Sequence, residues 1–283
     1  MNDEGEIRKV TQVIEPISVM EGAGVKLRRS IATRQVDYLD PFLLFDHFGS
    51  NDPKDYLRGF PMHPHRGIET VTYVLAGKVR HTDSLGNRGE ITAGDVQWMT
   101  AGSGIMHEEM PEGFGNHMEG FQLWVNLPAS LKMSPPRYQD FNEAKIPWLN
   151  PTWGITIRLI AGKLNEISGP VTDIAADPVY MDVSVDASAV FDYEIDPEHT
   201  ALAYVFKGGG DFCGTPVEAT RMVVFGSGRR IQVKGGLFGT RFLLMSGKPL
   251  GEPVARYGPF VMNTEEEIKQ ALRELRNGTF IKR

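Results

Sequence analysis

The apolar residues of this chain fall in short runs that end at glycine, proline or asparagine, and this punctuation limits the fold more than any other feature. "VTYVLAGKVRHT" (71–82), "SLGNRGE" and "ITAGDVQWMTAG" (91–102) read as strand, tight turn, strand, with Gly77, Gly86, Gly89 and Gly94 at the breaks. "GFQLWVNLP" (120–128) is a further strand, stopped by Pro128. With 31 glycines and 18 prolines in 283 residues, an all-β fold of short strands is expected. The polar, proline-rich passage 128–151 reads as a linker, after which the strand texture resumes. Laying Gly77 over Gly208 aligns "ETVTYVLAG" with "TALAYVFKG", sharing Tyr, Val and Gly, which suggests two related β-modules. In that register Glu194 and Asp196 stand where His63 and His65 do, so only the first module carries imidazoles.

One helix is written into the C-terminus. Thr264 with Glu267 fits a capping box, and Ile268, Ala271, Leu272 and Leu275 form one apolar stripe. Asn277-Gly278 supplies the stop. This helix reads as a packing element without chemistry.

Composition excludes several functions. A net charge of −6 argues against direct nucleic-acid binding. The one basic cluster is Lys26, Arg28, Arg29 and Arg34, where Lys26 and Arg28 at strand spacing read as a solvated face. The single cysteine, Cys213, permits no disulfide framework and no cysteine-ligated metal within the chain, and reads as an inert, half-buried thiol. No run approaches membrane-spanning length and the first residues lack a signal-type apolar stretch, so a cytoplasmic, reducing location without membrane attachment is expected.

"FPMHPHRGIETVTYVLAG" (60–77) carries the chemistry. His63 and His65 are two apart, so in extended backbone they project to one side, about 6.6 Å apart along the strand. Imidazoles so placed can converge on one ion at about 2.0–2.1 Å. A second cluster, "AGSGIMHEEMP" (101–111), puts His107 and Glu109 on one face and Glu108 on the other. Inward-facing residues of neighbouring strands in a small barrel meet, so a metal site is the leading explanation of the two pairs. Around them stand Phe60, Met62, Met106, Met110, Phe121, Leu123 and Trp124, with Phe42, Phe45 and Phe48 upstream. Most of these read as ordinary core. Phe45, Phe60, Met62, Met106, Phe121 and Leu123 are nominated to line a pocket for a flat, hydrophobic ligand.

These segments, together with "FQLWVNLP" and the closing "YGPFVMNTEEEI", resemble the pirins, and the similarity runs from about residue 5 to the end. The resemblance implies a cupin-superfamily bicupin, two jelly-roll-type barrels face to face. Residues 1–135 would form the metal-binding domain, and 136–283 a second domain lacking ligands, with the helix 264–277. It also implies one mononuclear divalent metal held by His63, His65, His107 and Glu109. Iron(II) comes first from the family; nickel, manganese, copper, cobalt and zinc also suit nitrogen and oxygen donors, with geometry and supply deciding among them. The wider cupin pattern would instead nominate Glu69, which ranks second here, as a supporting or structural residue.

For function the resemblance implies quercetin 2,3-dioxygenase chemistry, in which O₂ opens a flavonol with loss of carbon monoxide and Glu109 acts as general base. The alternative it implies is a redox-responsive regulator that binds a transcription factor or a metabolic enzyme. The expected partners are therefore a small aromatic substrate and O₂, or a protein, and the chain is expected to be a monomer. His47, His81, His117 and His199 lack paired spacing and read as surface or satisfied histidines.

Overall fold

Residues 6–282 are described in a computed structural model. They form two compact units that are interleaved along the chain: Ile17–Glu143 with Leu250 onward, and Ala144–Pro249 with the residues up to Pro16. Both are built from antiparallel strands, and Glu265–Arg276 is the one α-helix among the described residues.

The first unit contains a seven-stranded sheet in the order Arg137–Phe141, Val96–Thr100, Ile68–Ala76, Met118–Asn126, Phe42–Ser50, Val25–Ile31 and Ile17–Glu21. Its second sheet has four strands, Phe60–His65, Ile105–Glu112, Lys78–Asp83 and Arg88–Thr92. Two apolar clusters close this unit. One gathers Val25, Leu27, Tyr56, Val74 and Ile91; the other gathers Leu43, Ile68, Met99, Ile105 and Val261.

The second unit is a nine-stranded sheet whose longest member, Arg230–Gly247, pairs with Thr200–Phe212, Val179–Val185 and Val190–Glu194. Alternate residues of each strand turn inward: Ile155, Ile157 and Leu159; Met181, Val183 and Val185; Ala201, Ala203 and Val205. This two-residue period is what a half-buried strand demands, and here it yields a continuous apolar core.

The expected division at residues 135 and 136 differs from this arrangement at three places, each for a pairing reason. Arg137–Phe141 is a strand rather than linker, hydrogen-bonded along Val96–Thr100, and so extends the first unit's sheet. Val10–Ile14 pairs with Arg221–Phe225 and joins the second unit. The C-terminal helix packs Ile268 and Ala271 against Phe260, Met262 and Phe280 in the first unit, not the second. Its capping box is present, with Glu267 N donating to Thr264 Oγ1 at 3.3 Å and Thr264 N donating to Glu267 Oε2 at 2.9 Å.

Candidate metal centre

Two neighbouring strands of the four-stranded sheet bring the histidines together. Ile105–Glu112 runs antiparallel to Phe60–His65 with His107 opposite His63, and two positions on, Glu109 lies opposite Phe60. One residue, Glu108, thus faces two, Pro61 and Met62. Pro61 has no N–H for the ladder, so a bulge falls there. The freed Pro61 carbonyl accepts a hydrogen bond from His63 Nδ1 at 2.9 Å.

With Nδ1 protonated and committed, His63 presents its Nε2 lone pair, which lies 3.0 Å from Nε2 of His65. The ring of His107 completes the group, 4.4 Å from that of His63 and 4.9 Å from that of His65 between centroids. One donor atom from each of the three lies within 4.8 Å of the others, the only such group of three metal-donor side chains among the described residues. His65 is 2% and His107 1% exposed, and neither ring nitrogen of His107 has a hydrogen-bond partner. Burial, and then the neighbouring imidazoles, push the pKa values of His65 and His107 well below the usual histidine value, so both rings stay neutral near pH 7. A neutral, buried imidazole without a partner, as in His107, is costly unless its lone pair finds a proton or a cation. With a third ring beside them, the His63 and His65 nitrogens 3.0 Å apart are placed so that they could hold one divalent cation.

Glu109 lies on the same face of its strand, 6% exposed, and lines the same cavity, but its carboxylate stands outside the three-imidazole group. Thr72 Oγ1 donates to its Oε1 at 3.1 Å, and Gln122 Nε2 donates to Thr72 Oγ1 at 2.9 Å. Burial outweighs the Thr72 hydrogen bond and raises the Glu109 pKa to about 7. Glu69 faces away from the cavity and accepts from Thr100 Oγ1 at 2.7 Å; burial lifts its pKa to about 6.

The cavity above the imidazoles holds about 520 Å³. Of the six nominated pocket residues only Phe60 lines it. Phe45 and Phe121 stack on each other at 5.8 Å in the core, Leu123 is 1% exposed there, Met62 points to solvent at 46% exposure, and Met106 packs on the helix cluster. The reason is strand parity: Gln122 and Trp124 face the cavity from Met118–Asn126, and Leu44, Asp46 and Phe48 face it from Phe42–Ser50, which sends the odd positions the other way. Trp124 stands edge-on to His65 at 5.1 Å, and the Arg256 guanidinium lies 5.3 Å above the indole. Farther along the wall, Arg29 holds Asp46 through two hydrogen bonds of 2.8 and 2.7 Å and Glu21 through one of 2.7 Å.

Residues with no motif to announce them complete the site. His81 is 3% exposed, its ring 5.2 Å from that of His107, and its Nε2 meets the Tyr138 hydroxyl at 3.0 Å. Of the other histidines, His47 is buried against Glu119 at 3.2 Å, His199 is buried against Ser246, and His117 is half-buried, its Nδ1 2.8 Å from Asn51 Oδ1.

Comparisons with known proteins give the family. Residues 24–125 match the Pirin family and residues 180–281 the Pirin C-terminal cupin domain. A pirin-like protein of Caulobacter vibrioides is 42% identical over 275 residues, covering 97% of this chain and 99% of its own. A solved structure from Acinetobacter baumannii named quercetin 2,3-dioxygenase superimposes with a TM-score of 0.89 at 33% identity, covering 97% of this chain and 99% of that one. The fold is shared as well with the Escherichia coli bacterial pirin YhhW solved in complex with nickel(II), at a TM-score of 0.67, 19% identity, and coverage of 84% and 98%.

Proposed function

The chain belongs to the pirin family of bicupins, and on that premise we propose that its first unit is a metal-dependent dioxygenase centre acting on a flavonol or a similarly flat aromatic. The observation that carries this reading is the convergence of three imidazoles, two of which, His63 and His65, line a 520 Å³ cavity whose remaining wall is largely apolar, with His107 buried beside them. His63, His65 and His107 are the nitrogen donors, and Glu109 is the fourth donor and the base. Iron(II) is the first choice of metal; nickel has a precedent in the Escherichia coli relative of the same fold. Bound there, a divalent ion would supply Lewis-acid capture of a substrate oxygen and, if redox-active, a route for electrons to O₂.

The chain's own residues do the rest. Burial raises the Glu109 carboxyl in the metal-free protein, a bound cation would favour its ionised form, and that carboxylate would then accept the proton of a flavonol 3-hydroxyl. Thr72, held by Gln122, fixes the orientation of that carboxylate. Phe60, Phe48 and Trp124 offer flat apolar faces that would stack the aromatic rings and keep water from the reacting carbon atoms. Arg256, poised over Trp124, is placed to donate to an oxygen at the far end of the substrate.

Aerobic incubation of the iron-loaded protein with quercetin tests this. Ring-opened product and carbon monoxide in equal amounts are expected, and both should fall to background in His63→Ala. Metal binding without either product would leave the centre standing and remove the flavonol.

A further inference from the structure

Arg66 follows His65 directly, and its side chain is 1% exposed inside the first unit. The guanidinium reaches three separate parts of the chain. Nε donates to the Ser103 carbonyl at 2.7 Å, Nη2 donates to the Phe280 carbonyl at 3.0 Å, and Nη2 also pairs with the Glu274 carboxylate at 2.7 Å. The Phe280 ring covers the guanidinium, with Cζ 4.4 Å from its centroid. Ser103 lies in the turn that launches the His107 strand, whereas Glu274 and Phe280 belong to the end of the chain. One rigid, always-charged fork therefore joins the His65 strand, the His107 strand and the C-terminal segment.

The backbone repeats this tie. Arg66 N donates to the Pro259 carbonyl at 3.4 Å, and Val261 N donates to the Arg66 carbonyl at 3.1 Å. A Cβ on Gly67, whose φ is +77°, would sit 2.0 Å from the Val261 carbonyl oxygen, so only glycine lets the two segments approach this closely. Phe280 also packs against the turn itself: a Cβ on Gly104 would lie 3.0 Å from its ring. On the other side, Lys132 Nζ donates to the carbonyls of Gly67 at 2.9 Å and Val261 at 3.0 Å and to Asn126 Oδ1 at 2.7 Å. Burying two cations costs several kcal/mol each unless their donors are matched, and apart from Asn126 Oδ1 these matches fall where the C-terminal segment meets the turns beside His65 and His107.

We infer that Arg66 is a positioning residue for the metal centre, and that the C-terminal segment from Pro259 to Phe280 completes that centre by holding the His65 and His107 strands in place. The inference rests on the metal reading above. Its physical basis is the narrow tolerance of a ligand set: groups that orient ligands contribute about 10–100-fold in metal affinity, and a site needs its donors within about 0.5 Å of the productive geometry.

The test titrates cobalt(II) and nickel(II) into metal-free full-length protein by calorimetry, with the cobalt visible spectrum as the report on ligand geometry. Wild type and the exposed-face control Lys269→Ala should bind one equivalent alike. Arg66→Met should bind at least tenfold more weakly with an altered cobalt spectrum, and Arg66→Lys should recover part of both. Glu274→Gln and Phe280→Ala, which leave Arg66 in place, should give smaller shifts in the same direction and decide the matter if Arg66→Met does not fold. Unchanged affinity and spectrum in folded Arg66→Met, or in both milder variants if it does not fold, would overturn the inference while leaving the metal centre intact. Absence of binding by wild type would instead overturn the metal reading, and the inference with it.

Discussion

The two units of this protein share an antiparallel strand frame and differ in what the strands turn inward. In the second, the inward positions are Ile155, Ile157, Leu159, Met181, Val183, Val185, Phe191, Phe212 and Phe242, none more than 2% exposed, and they close on one another as a continuous core. In the first, the corresponding alternation delivers His63, His65, Glu109, Thr72 and Gln122 to a cavity of about 520 Å³, with His107 buried against the two histidines. The comparison teaches that the frame carries no chemistry of its own. Chemistry appears where inward positions are given polar atoms that the fold leaves unmatched, and it disappears where they are filled by hydrocarbon.

Four experiments bear on this comparison, in descending order of effect. The largest is His107→Ala. Removing a ligand should cost more than the tenfold to hundredfold typical of a supporting residue, so metal should be lost from the protein by elemental analysis, with little change in melting of the second unit. Retention of metal by this variant would end the contrast between a reactive and a filled interior. Next is Phe242→Ala, which removes a ring packed 5.7 Å from Phe191 and 5.3 Å from Phe212. It should destabilise the second unit by about 3–5 kcal/mol in a denaturant titration while metal stoichiometry stays at one per chain.

The smallest effect is a pH dependence confined to the first unit. Glu109 is raised from 4.5 to about 7 in the folded metal-free protein, so between these values the folded state holds a proton that the unfolded state has released. Its stabilising contribution is complete below about pH 4.5 and declines as pH rises to about 7, at up to roughly 1.4 kcal/mol per pH unit. The histidines work oppositely: with folded pKa values below 6.5, their contribution is present above that value and is lost on acidification. Thermal melts of metal-free Glu109→Gln should lack the alkaline decline and keep the acid one. In activity, Thr72→Val removes the hydrogen bond that favours the Glu109 carboxylate, so the midpoint of the kcat/KM profile should move up by a fraction of a pH unit; a downward move would show that Thr72 does not act through that carboxylate.

What could be read ahead of any coordinates was whatever depends on residues close in sequence. The short strands followed from glycine and proline punctuation, and the helix from Thr264, Glu267 and the stripe Ile268, Ala271, Leu272 and Leu275. The histidine pair follows from the two-residue period of a strand, and the family from the two histidine-bearing segments and the closing "GPFVMNT" in order. The nominated pocket failed at the next level. Phe121 and Leu123 are apolar, but the strand's parity is set by its partners, which turn Gln122 and Trp124 to the cavity instead.

Tertiary structure alone decided the contacts between distant segments. His81 matters because Tyr138, from a stretch that reads as linker, reaches it across 57 residues. Arg66 matters because Phe280 lies 214 residues further on. Local periodicity says which way a side chain faces relative to its neighbours in the chain, but which strand or tail lies against that face depends on hydrogen-bond register and close packing between segments, and no short window of sequence contains those.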